Sequence, residues 1–77
     1  MDINDTRALL ERILADIAPE AALGEVGDDE DLRQALDLDS MDFLNVVVGL
    51  HEATAVEIPE ADYPRLFTLT GMAAYLP

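Results

Sequence analysis

The sequence contains no cysteine. That absence excludes disulfides, thiolate metal sites and a cysteine nucleophile, and it frees the fold from any need for an oxidising compartment. Basic residues are almost as scarce. There is no lysine, and four arginines stand against 17 Asp and Glu, for a formal net charge of −13. A surface of that sign repels nucleic-acid phosphates and anionic lipid, and four scattered arginines cannot make a phosphate-tracking groove. No apolar run approaches the ~18 residues that a membrane span requires. The acidic start Met1-Asp2-Ile3-Asn4-Asp5 lacks the basic, then apolar, character of a secretion signal. The expected setting is the cytoplasm, and the expected partners are basic protein surfaces rather than nucleic acid or membrane. Like charge also opposes self-association, so a monomer is expected.

What is present is a single small domain over residues 1–77. Its residues are 51% hydrophobic, which separates it from disordered acidic tails. Ile3, Leu10, Ile13, Leu14 and Ile17 recur at helical spacing, so the pattern predicts a first amphipathic helix from Ile3 to Ile17, stopped by Pro19. Residues 18–38 read as a long exposed connection marked by Gly24, Gly27 and Asp28-Asp29-Glu30-Asp31. Leu32, Leu36 and Leu38 are its anchors, with a helical turn near Asp31 to Ala35. Asp39 is a good N-cap with Asp42 three residues on, and a second helix should run from Ser40 to Ala53. Thr54 to Pro59 reads as extended, with a short turn of helix near Ala61 to Tyr63. Thr68 can cap a last helix, Leu69 to Leu76, which Gly71 should weaken slightly. The fold class is all-α: a small bundle of three main helices plus one short helix.

The helix from Ser40 is apolar on two faces. At 100° per residue, Phe43, Val46, Leu50 and Thr54 share one face, while Met41, Leu44, Val48 and Ala55 share another, with Val47 and His51 close to that second stripe. Full burial is difficult in so small a bundle. One face should pack the core and the other, beside Ser40, should meet a partner.

Chemistry of the chain's own is poorly supported. A calcium loop counted from Asp28 would need Gly at its sixth position and Glu at its twelfth, but these are Arg33 and Asp39. No metal-ligand cluster or Gly-rich phosphate loop is present. The single histidine, His51, lies 11 residues from Ser40, about three helical turns away. No general base therefore stands beside the serine in sequence, and no catalytic residue is assigned.

Leu36-Asp37-Leu38-Asp39-Ser40-Met41-Asp42-Phe43-Leu44 resembles the D-S-L segment of acyl carrier proteins. Val56-Glu57-Ile58-Pro59 resembles their E-I-P segment at the matching distance. Thr68-Leu69 and Tyr75-Leu76 look like the start and end of their last helix. The resemblance spans the chain and includes length, acidity and helix order. It implies a non-catalytic carrier whose Ser40 receives 4′-phosphopantetheine from coenzyme A through a phosphopantetheinyl transferase that uses Mg²⁺. The thiol of that arm would carry acyl groups as thioesters between enzymes of a fatty acid, polyketide or related pathway.

By the same resemblance Asp39 flanks the arm, and Asp42, Met41, Leu44, Asn45, Val48 and Glu52 face partner enzymes. Those partners would be acyltransferases or acyl ligases, ketosynthases and thioesterase-type enzymes with basic patches. Phe43, Val46 and Leu50 match core positions that could also line an acyl pocket. Met41 replaces the usual Leu, and Asp37 stands where Gly is common. Asn45 and His51 occupy positions often acidic in fatty-acid-synthesis members, which hints at a specialised pathway. Aminoacyl and peptidyl carriers are the nearest alternative, although the aspartates around Ser40 favour the acyl branch. An unmodified acidic adaptor, with Ser40 only a cap residue, is the other.

Overall fold

Asp2 opens the first helix by accepting the Asn4 amide on its carboxylate at 2.6 Å. Helix α1 then runs Ile3–Ile17 and ends at Ala18, just ahead of Pro19, as the apolar spacing and the proline together require. The structure, a computed structural model, describes residues 1–77 and is all-helical. After α1 come helix α2 (Leu32–Ala35), helix α3 (Ser40–Thr54) and helix α4 (Leu69–Tyr75). Two 3₁₀ segments, Leu23–Glu25 and Glu60–Leu66, complete the chain. No helix is long and apolar enough to cross a membrane.

The core lies where α1, α3 and α4 meet. Leu10 and Leu14 of α1, Val46 and Leu50 of α3, and Leu66, Leu69, Met72 and Leu76 are buried together in one cluster. Each such side chain contributes roughly 1.5–3 kcal/mol on leaving water. Gly49 lets α1 approach α3 closely, for an added Cβ there would come within 2.9 Å of Ile13 Cγ2. Some expectations shift. Leu9 and Thr6 are buried, whereas Ile3, Ile13 and Ile17 are only half-buried. Thr6 can enter the core because its hydroxyl donates to the Asp2 carbonyl at 2.9 Å. Val47, placed near the outward stripe of α3 by sequence, is instead a core residue.

The long connection is held from both sides. Arg7 on α1 donates to the Leu23 and Val26 carbonyls at 2.9 and 3.0 Å and to Asp28 Oδ1 at 2.7 Å. Leu23 and Val26 are thereby buried beside the expected anchors Leu32 and Leu38, while Leu36 stays half-buried. Further along, the Leu32 amide donates to the Phe67 carbonyl at 2.8 Å, and the Thr70 amide to the Asp28 carbonyl at 3.0 Å. These bonds lock α2 against the start of α4.

Later boundaries also move. The short turn expected near Ala61 to Tyr63 is a seven-residue 3₁₀ segment, Glu60–Leu66. Pro64 inside it has no amide to donate, and the bonds from Asp62 to Pro59 and from Phe67 to Pro64 keep the i−3 spacing. α4 stops at Tyr75, one residue short of the expected Leu76.

Candidate functional site

The approach to α3 is fixed by one residue in the left-handed region. Asp37 has φ 54°, and the chain there turns so that the Leu38 amide donates to the Arg33 carbonyl at 2.8 Å. Aspartate tolerates that conformation better than most side chains. The turn that glycine would make is therefore made without it.

A capping box follows. The Asp42 amide donates to Asp39 Oδ1 at 2.8 Å, and the Asp39 amide donates back to Asp42 Oδ2 at 3.4 Å. Ser40 is the first residue of α3 and is exposed. Its amide and that of Met41 donate to no group in the chain. These free N–H groups make the helix start a locus of partial positive charge within an acidic surface. The Ser40 hydroxyl makes no hydrogen bond, and no histidine or carboxylate is bonded to it. It is an accessible hydroxyl without a base of its own, suited to chemistry done on it by another protein.

A cleft of about 700 Å³ opens beside that hydroxyl, between the end of α2, the first turns of α3 and the segment from Glu60 to Phe67. Phe43, Tyr63 and Phe67, three of the chain's four aromatic residues, line it. Phe43 meets Tyr63 and Phe67 edge-on, with ring centroids 6.2 and 5.2 Å apart. Leu38, Met41 and Leu44 add aliphatic wall, and Asp39 and Glu60 are also on its lining.

Arg33 lies on the same wall. Its guanidinium stands 3.5 Å above the Phe67 ring. Its Nε and Nη2 donate to the two carboxylate oxygens of Asp31 at 3.2 and 2.8 Å. That side-chain hydrogen bond, above all, holds the Asp31 carboxyl below its usual range and Arg33 above its own. Asp31 also caps α2 by accepting the Arg33 amide at 2.9 Å.

The structure divides the residues singled out from sequence. Met41, Leu44 and Val48 form an outward stripe on α3, 65%, 42% and 44% exposed. Asn45 and Glu52 continue it along a groove against Arg12 and Asp16 of α1. Asp42 is half-buried with its carboxylate in the capping box. Of Phe43, Val46 and Leu50, only Phe43 lines the cleft; the other two are sealed in the core, at 1% and 0% exposure. His51 is exposed, but its Nδ1 lies 2.8 Å from the Val56 carbonyl. A carbonyl only accepts, so Nδ1 carries the proton and His51 ties down the end of α3.

Sequence reasoning missed Arg33, Tyr63 and Phe67. The four-residue spacing of Tyr63 and Phe67 was the one local signal that could have marked a shared face.

The family described as "Phosphopantetheine attachment site" matches residues 8–76. An acyl carrier protein of Streptomyces coelicolor is 31% identical over 75 residues, spanning 94% of this chain and 82% of that protein. No solved structure is matched.

Proposed function

The chain belongs to the acyl carrier protein family, whose members are non-catalytic and carry covalently attached 4′-phosphopantetheine, and we propose that Ser40 is the attachment residue here. Residues 1–77 then act as one carrier domain serving a biosynthetic pathway of the fatty acid, polyketide or related type. The arm, when attached, supplies the thiol that this cysteine-free chain lacks.

The observation that carries the reading is the state of Ser40. Its hydroxyl is exposed and unbonded, and it sits at a helix start whose first two amides are free. Those amides suit the phosphodiester that attachment at Ser40 would leave. The capping box fixes the serine's backbone, so a transferase meets a defined hydroxyl rather than a mobile loop. Asp39 and Asp42 set two acidic side chains beside the serine while they cap the helix, which favours basic surfaces on partner enzymes. The outward stripe of Met41, Leu44 and Val48, with Asn45 and Glu52, is the docking face in this reading. Phe43 belongs to the cleft that would shelter cargo, whereas Val46 and Leu50 serve only the core.

The test is intact mass after incubation with coenzyme A, Mg²⁺ and a broad-specificity phosphopantetheinyl transferase. Wild type should gain one phosphopantetheine and Ser40→Ala none, with circular dichroism showing both folded. A folded wild type that gains nothing would leave Ser40 as an unmodified first-turn residue of α3, with Asp39 as the cap, and the chain as an acidic adaptor.

A further inference from the structure

The cleft beside Ser40 is not a plain hydrocarbon slot. Its apolar wall is half aromatic and half aliphatic, and several polar groups on its lining residues lack a partner within the chain. Arg33 commits Nε and Nη2 to Asp31, and its Nη1 donates to nothing. Gln34 and Tyr63 line the same cleft, and neither side chain makes a hydrogen bond. The guanidinium, on a side chain 41% exposed, is held by a two-point carboxylate contact at 3.2 and 2.8 Å and by the Phe67 ring 3.5 Å beneath it. A donor fixed in this way loses little freedom when an acceptor arrives.

A saturated acyl chain lying in this cleft would displace water from these donors and return no acceptor to them. A chain with a ketone or hydroxyl oxygen would return one, and its apolar part could still lie on Phe43 and Phe67. Asp39 and Glu60 on the lining disfavour a carboxylated cargo, so a neutral oxygen fits better than a charged one. We propose that the cleft prefers acyl groups bearing keto or hydroxyl oxygens over saturated groups of equal length, with Arg33 as the specificity-determining residue. The inference rests on Ser40 being the attachment residue and names the cargo class of that same site.

The experiment loads the chain from octanoyl-coenzyme A and, in parallel, from 3-oxooctanoyl-coenzyme A, using the transferase. Melting temperatures of the two loaded forms are then compared. The 3-oxo form should melt higher by roughly 4–8 °C, as one additional satisfied hydrogen bond would give in a domain of this size. In Arg33→Leu that difference should vanish while loading persists. A second readout needs no variant: the Arg33 side-chain N–H resonances of wild type should move with the 3-oxo cargo and stay in place with octanoyl.

Equal melting of the two wild-type forms overturns the preference. So does an excess that survives in Arg33→Leu, or Arg33 resonances that ignore the cargo. Mass spectrometry distinguishes the two levels of failure. Loading without a difference overturns this inference alone, and no loading overturns the carrier reading and this inference with it.

Discussion

At Gly71 a methyl group has nowhere to go. An added Cβ would lie 2.3 Å from the Arg65 carbonyl oxygen and 3.1 Å from Thr68 Oγ1. The first of these is backbone and cannot swing aside. Gly71→Ala should therefore destabilise the fold by about 1–3 kcal/mol, as overpacking does, although alanine is the better helix former. Ala55 presents the opposite case. It ends α3 with φ 59°, a conformation that a Cβ disfavours. Ala55→Gly should stabilise by about 0.5–1 kcal/mol, the relief of left-handed strain exceeding the added entropy of the unfolded chain. Urea denaturation of both variants checks the pair, and the same sign for the two would be incompatible with this argument. Read from sequence, Gly71 looked like a small weakness in a helix. Propensity is a local quantity, and it is silent about a carbonyl arriving from the preceding 3₁₀ segment.

Among the elements, the 3₁₀ segment Glu60–Leu66 is tied to α4 by a side-chain bond. The Tyr75 hydroxyl donates to Asp62 Oδ2 at 2.8 Å and to the Glu57 carbonyl at 3.4 Å. The hydrogen bond to Asp62 raises the Tyr75 pKa above its usual 10.0, because ionisation would remove the donor and set two negative charges together. A group whose pKa is raised on folding contributes fully below its unfolded value and loses that contribution as pH rises through the folded one. Absorbance titration at alkaline pH should show one tyrosine ionising late in wild type. In Asp62→Asn it should ionise earlier, and the melting difference between wild type and Tyr75→Phe should shrink as pH climbs past about 10. A late tyrosine that persists in Asp62→Asn would mean that the bond is not its cause. Elements set by neighbouring residues were legible in sequence. Asp39 and Thr68 announced two helix starts because each cap acts within three residues. The start of α3 at Ser40 was legible for the same reason. The cleft was not, because Arg33 and Phe67 meet only after the chain has folded back through α3.

Across the whole molecule, charge opposes compactness. The net charge is −13, and only two of the four arginines, Arg7 and Arg33, form ion pairs, with Asp28 and Asp31. The longest dimension is 27 Å. At about 0.01 M salt the screening length is ~30 Å, so every carboxylate feels every other; at about 0.1 M it is ~10 Å, and only neighbours interact. Melting temperature should rise by several degrees over that interval and flatten beyond it, since screening can remove little more. A melting temperature that falls with salt would show that the two ion pairs outweigh the general repulsion. The field that strains the free chain also steers it towards basic partners, and salt weakens that steering. On the proposal that Ser40 is the attachment residue, the rate at which a transferase modifies it should therefore decline over the same salt interval in which the folded chain gains stability. Opposite signs in the two measurements, taken on one protein in one buffer series, would separate electrostatic docking from electrostatic self-repulsion. A modification rate that rose together with stability would instead mean that salt acts on transfer through folding alone.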